Sequence, residues 1–202
     1  MNVIQEKMFD FIYTMSLRDS ILRNAYKFPK KELFNNNHAK NLLRNYLNKV
    51  LEGQPFCFND IERAIETSFL NFLGNNNFTF GNSQKLVNMT FKYAYLFCYK
   101  NEKLKNYFTN CHCPMDNIMI NIAIEELEKI DCRTLSIQDK QTLQKITFRG
   151  YKTKLRQAWS NITKENTNQY ELFQQIINFL AKLKNVTPLE YDYLMWNQQE
   201  EF

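Results

Sequence analysis

The sequence predicts an all-α fold on three observations. Apolar residues recur at i, i+3, i+4 and i+7 through nearly the whole chain. The one stretch that alternates like a strand, Ile118, Ile120, Ile122 and Ile124, runs on to Leu127 and Ile130 at helical spacing and has no partner strand. Helix stop and start signals punctuate the pattern, among them Gly74 and the tetrapeptide Thr187-Pro188-Leu189-Glu190.

Taken in order, Ile4, Met8, Phe11, Ile12 and Met15 stripe a first helix. Leu42, Leu43, Tyr46, Leu47, Val50 and Leu51 stripe a second, which ends before Gly53 and Pro55. Asn59 is placed to cap a third that carries Ile61, Ala64, Ile65, Phe69, Phe72 and Leu73, with Gly74 as its stop. Residues 75–82 read as a polar, turn-rich loop. The stretch 84–99 is apolar on nearly all sides, the pattern of a buried central helix. The isoleucine-rich segment from 118 to 130 is a helix, and 136–159, 170–184 and 188–199 complete the set. The last opens on a capping box with proline at the first helical position. No internal repeat or long linker divides residues 1–202, which read as a single domain.

Composition sets the remaining bounds. Hydrophobic residues make up 44% and charged residues 23%, a globular balance that excludes disorder. With 26 Lys and Arg against 21 Asp and Glu, the net charge of +5 is compatible with a polyanionic partner and does not require one. The distribution says more: Lys140, Lys145, Arg149, Lys152, Lys154 and Arg156 follow one another with no acid after Asp139. A solvated helix face and a phosphate-contacting surface both fit that run. Five cysteines, an odd number, several of them inside apolar helical runs, predict reduced thiols and a cytoplasmic setting. The first eleven residues carry acids and no small-residue cleavage site, so no secretion signal is expected. No apolar run reaches the ~18 residues needed to span a bilayer, and no membrane partner is expected.

Two positions carry chemistry. Lys85 opens the most buried helix, where burial would push its ammonium pKa down, as an amine nucleophile requires. Asn88 and Lys92 share its helix face. Read alone, such a lysine is more often a helix-end residue that snorkels to solvent. Asp116, in Cys113-Pro114-Met115-Asp116-Asn117-Ile118, directly precedes an isoleucine-rich helix. It is placed to cap that helix and to remain an oriented carboxylate at the positive end of the dipole. The trio Cys111-His112-Cys113 lacks a second ligand pair at any standard spacing, and neither a metal nor another cofactor is expected.

Together these motifs resemble the helix-hairpin-helix DNA glycosylase superfamily, and within it the archaeal 8-oxoguanine DNA glycosylases. That group carries Gln-Lys at the head of an apolar helix and Pro-Val-Asp about thirty residues later. Gln84-Lys85-Leu86-Val87-Asn88-Met89 is similar to the first, and Cys113-Pro114-Met115-Asp116 to the second, 31 positions on. The family also ends in a Pro-Leu-x-x-Asp-x-Leu-x-Trp helix, and this chain has Pro188-Leu189-Glu190-Tyr191-Asp192-Tyr193-Leu194-Met195-Trp196. Asp192 and Trp196 are i and i+4 and so share a helix face. The likeness lacks a glycine-rich hairpin, with only Gly81 near the expected place, and Met89 stands where the family has an aromatic.

The resemblance implies a monomeric bundle of two lobes around a cleft. It implies a glycosylase, with lyase activity, that flips a modified base out of DNA, 8-oxoguanine first among candidates. Lys85 would attack C1′ and Asp116 would assist it. Trp196 would stack on the flipped base, Asp192 would accept hydrogen bonds from its edge, and Met89 would line the pocket. Lys145, Arg149, Lys152, Lys154 and Arg156 would contact phosphates. Two other readings stand beside this one. One is a glycosylase of the same fold acting on another base, such as a hypermodified base of phage DNA. The other is a non-catalytic helical module that binds DNA or protein.

Overall fold

Several helices begin where the chain supplies a side-chain acceptor for the first free N–H groups. The structure, a computed structural model, describes residues 3–21, 33–74 and 77–197. Helix α1 is Val3–Ser20. Asn36 caps α2, Asn37–Leu51, accepting from Ala39 N–H. Helix α3, Phe58–Leu73, follows Cys57, which makes no side-chain cap bond. Asn59, expected as the cap, lies inside its first turn. Thr79 caps α4, Phe80–Cys98. Helix α5 is the short Glu102–Asn106. Asp116 caps α6, Asn117–Glu128, and Ser136 caps α7, Ile137–Ile146. After α8, Tyr151–Leu155, come α9, Asn168–Leu183, and α10, Pro188–Asn197. Among the described residues there are ten α-helices and no strand, so the all-α expectation holds.

The boundaries differ from the sequence reading in two places that shape the cleft. Helix α4 starts at Phe80, not Gln84, because Thr79 accepts from Asn82 N–H and draws Gly81 and Asn82 into the first turn. Lys85 therefore sits in the second turn of α4 rather than at its head. Residues 136–159 are not one helix. Gly150 takes the left-handed conformation at φ 92°, so the chain turns between α7 and α8 and then enters a 3₁₀ turn at Trp159–Asn161. The expected end of α10 at Gln199 lies outside the described residues, as does the side chain of Ile4.

The apolar stripes make two clusters of core. One joins α1, α2, α3 and much of α4 through Leu17, Leu43, Ile61, Ile65, Phe69 and Phe91, all fully buried or nearly so. The other joins α6, α7, α9 and α10 through Met119, Ala123, Leu143, Ile146, Phe173, Ile176 and Tyr191. Helix α4 serves both, giving Phe80 to the second and Leu86, Val87 and Phe91 to the first. Fifteen of its nineteen residues are buried, which accounts for its apolar composition on all sides.

Helix α10 is tied to α4 by polar contacts as well as packing. The reciprocal box between Thr187 and Glu190 forms as expected, with Thr187 N–H donating to Glu190 at 2.9 Å and Glu190 N–H to Thr187 Oγ1 at 3.3 Å. Tyr95 donates to Glu190 at 2.7 Å, and Tyr193 to the carbonyl of Lys92 at 2.5 Å. These bonds set the rotation of α10 and hence which of its residues face α4. No helix among the described residues is long and apolar enough to cross a membrane.

Candidate active site

A cleft of about 530 Å³ opens between α4 and α10, within the range of small-molecule sites. Lys85, Met89, Asp116, Asp192 and Trp196 all line it. The sequence separates these five residues by as much as 111 positions. Helix α4 presents Lys85, Met89 and Lys92 at i, i+4 and i+7, one face two turns long.

At one end Lys85 Nζ lies 3.3 Å from Asp116 Oδ2, with side chains 12% and 15% exposed. The other oxygen of Asp116 accepts Met119 N–H at 3.0 Å, so a single carboxylate caps α6 and faces the amine. Lys85 Nζ also stands 5.0 Å from the ring centre of Trp159. At the other end Lys92 Nζ lies 2.5 Å from Asp192 Oδ2 and 5.3 Å from the ring centre of Trp196. The cleft thus contains two lysine, aspartate and tryptophan groupings, spaced by two turns of α4, about 10 Å along its axis. Asp192 is 1% exposed, and burial pushes its carboxyl up to about 6 against the opposing pull of Lys92. The charge of Lys92 already holds it.

The cleft also contains residues the sequence reading passed over. Trp159 and Ser160 enter because Gly81 lets them approach: a Cβ there would stand 2.0 Å from the Trp159 carbonyl oxygen. Gly81 N–H donates to the Ile162 carbonyl at 3.1 Å, and Thr79 Oγ1 to that of Ser160 at 2.6 Å. Asp19, from the end of α1, lines the cleft and accepts from the Tyr93 hydroxyl. The signal for Trp159 was Gly150, which breaks the helix that would have carried the tryptophan away.

None of the five cations expected to contact phosphate lines the cleft. Lys145 and Arg149 are exposed on α7 and the following turn, and Arg156 is exposed past α8. Lys152 is paired with Glu128, an acid distant in sequence that α6 brings beside it. Lys154 packs 5.9 Å from the ring centre of Phe148. The segment Cys111-His112-Cys113 is structural. Both thiols are buried, and His112 stacks on Phe58 at 4.4 Å between ring centres. Burial holds the imidazole down at about 4, hence neutral. Among the described residues no group of three or more His, Cys, Asp or Glu is arranged to hold a metal.

Behind Lys85 lies a buried polar network. The Tyr170 hydroxyl donates to Glu62 Oε1 at 2.5 Å and sits 2.8 Å from both Asn88 Nδ2 and His112 Nδ1. Glu62 is fully buried, and burial pushes its carboxyl up to about 8 against the pull of Tyr170, Asn88 and the charge of Arg63. The sign of the consequence is fixed. Between pH 4.5, the ordinary value, and about 8, the folded state holds a proton that the unfolded state has released, so stability falls as pH rises. Chemical denaturation across that window is expected to show a loss approaching 1.4 kcal/mol per pH unit from this one group. Buried His112 and Asp192 also titrate in the lower part of this window, with opposite signs, and remain in Glu62→Gln, so the slope is read from the difference between wild type and Glu62→Gln. A difference that stays flat from pH 5 to 8 would mean that Glu62 is ionised in the fold.

No protein-family model, curated protein or solved structure matches the chain.

Proposed function

We propose that this protein is a DNA glycosylase with lyase activity, in which Lys85 attacks C1′ of an extruded nucleotide and Asp116 assists. One observation carries the reading: Lys85 and Asp116, far apart in sequence, meet at 3.3 Å in the wall of the cleft that Met89, Asp192 and Trp196 also line. The two core clusters, with a cleft lined by residues from both halves of the chain, support the two-lobed helix-hairpin-helix reading.

The chemistry follows from the pair. Lys85 passes a proton to Asp116, and its lone pair forms the bond to C1′. The glycosidic electron pair leaves with the base, which takes up a proton. Opening of the sugar at O4′ gives an imine at Lys85, and loss of a C2′ proton then breaks the bond to the 3′ phosphate. Asp116, negative and fixed by Met119, also stabilises positive charge developing on the sugar.

At the far end Lys92 and Asp192 offer a donor beside an acceptor. That pair complements the O6 and N1–H of a guanine-type base, and Trp196 supplies a stacking face. Hence 8-oxoguanine is the first substrate to try. Two observations favour a second reading, the same reaction on another modified base. Met89 gives that wall a flexible apolar side chain instead of the aromatic the family would supply, and Asp192 is engaged by Lys92. The basic surface of α7 and α8 is the proposed phosphate contact.

A panel of duplexes, each with one modified base, separates these readings by released base. Trp196→Ala is expected to weaken binding by about 1–3 kcal/mol whatever the base, because stacking reads a π-face. Asp192→Asn should instead change which base is released, since it removes the charge that orients Lys92. If Asp192→Asn leaves the preference intact, Asp192 is no part of base recognition.

A further inference from the structure

We infer that Gln84 and Gln174 are positioning residues: two buried side-chain amides that grip the backbone of Met115 and Cys113 and thereby fix Asp116 against Lys85. The inference rests on the proposed roles of that pair only for its consequence in catalysis. Among the described residues, the segment before α6 makes no backbone hydrogen bond to other backbone at Cys113 or Met115, although both residues are fully buried. Buried peptide groups need partners, and a primary amide offers a donor and an acceptor side by side.

Gln174, on α9, supplies both to Cys113. Cys113 N–H donates to its Oε1 at 3.1 Å, and its Nε2 donates to the Cys113 carbonyl at 2.7 Å. Gln84, on α4, does the same for Met115. Met115 N–H donates to Gln84 Oε1 at 3.3 Å, and Gln84 Nε2 donates to the Met115 carbonyl at 3.1 Å. Gln84 Oε1 also accepts from Asn88 at 3.2 Å, which joins the clamp to the Tyr170 network.

The register is the point of the arrangement. Gln84 holds Met115, and the next residue of α4, Lys85, meets the next residue of the segment, Asp116. One turn of one helix therefore carries both the amine and the group that measures the distance to its carboxylate. Gln174 fixes the same segment two residues earlier, from another helix. Pro114 between them has no N–H to satisfy. Loss of either amide frees the chain that carries Asp116, and a shift of about 1 Å at a reacting group can cost on the order of a hundredfold in rate.

The test is a double-mutant cycle on Lys85→Met and Asp116→Asn, read by urea denaturation, in the wild-type background and in Gln84→Met and Gln174→Met backgrounds. In wild type the two losses should be non-additive, because the residues are in contact. With either glutamine replaced they should become additive. A glutamine that merely stabilised the fold would lower all four midpoints alike and leave the coupling intact, which would overturn the inference. Gln84→Glu, which keeps the acceptor and loses the amide donor, serves if Gln84→Met does not fold. Where an oligonucleotide substrate is found, single-turnover base release should fall on the order of a hundredfold with the half-saturating DNA concentration unchanged. Coupling that vanishes in a protein releasing no base from any oligonucleotide would uphold the clamp and remove the glycosylase reading. Coupling that persists in an active enzyme would do the reverse.

Discussion

Asp116→Asn is expected to fold normally and to lose base release by about a hundredfold or more. The carboxylate has two tasks that the substitution separates. Its Oδ1 caps α6 by accepting Met119 N–H, and the amide oxygen of asparagine caps equally well, so helix stability should change little. Its Oδ2 faces Lys85 at 3.3 Å, and there the negative charge and the proton acceptor both disappear. A positioned acid or base contributes on the order of 10²–10⁴ in rate, so the loss should be plain in single-turnover release of base. The melting temperature supplies the control: losing the Lys85 pair lowers it modestly, and only a variant unfolded at the assay temperature would trace the lost activity to the fold. Near-normal release with normal stability would remove Asp116 from the mechanism.

The second large effect is expected at Gly81, and there two physical terms of opposite sign compete. Gly81 lies in the first turn of α4 with an ordinary φ, where alanine is the better helix former by about 1 kcal/mol. Propensity alone predicts that Gly81→Ala stabilises the protein. The new Cβ would stand 2.0 Å from the Trp159 carbonyl oxygen and 3.1 Å from Ser160 Cα, both backbone atoms that cannot rotate away. Overpacking of this kind costs roughly 3 kcal/mol, so the clash decides the sign. The net loss of about 2 kcal/mol corresponds to a fall of roughly 4–8 °C in melting temperature for a chain of this size. Trp159 and Ser160 should also move away from the cleft, and quenching of tryptophan fluorescence by acrylamide would report it. A variant that melts higher than wild type would show that the segment packs elsewhere.

Much of this cleft was legible because its residues announce themselves through local rules. Asp116 before an isoleucine-rich helix is a cap, and Thr187 to Glu190 is a capping box, so both helix starts came from neighbouring residues alone. Lys85, Met89 and Lys92 share a face by the helix period. Other features depend on partners that no local rule supplies. That Asp192 is held by Lys92, and is not free, follows from how α10 lies on α4. Lys152 reads as a free cation until α6 brings Glu128 to it. Gln84 looked like part of a motif, and its role as a backbone clamp appears only once Met115 is beside it. The helix expected from 136 to 159 breaks for a local reason: its apolar period continues, but Gly150 turns the chain at φ 92°. Gly81 was noted for a missing hairpin. Its actual reason is the close approach of the Trp159 carbonyl.

Covalent capture tests the central claim most directly. Wild-type protein is incubated with a duplex whose modified base it releases, borohydride is added, and the adduct is digested and mapped by mass spectrometry. A reducible imine at Lys85 predicts one protein–DNA adduct, carried by the peptide containing Lys85 and absent from Lys85→Gln. Equal capture by Lys85→Gln, or an adduct mapped to Lys92, would contradict the assignment of Lys85 as the nucleophile.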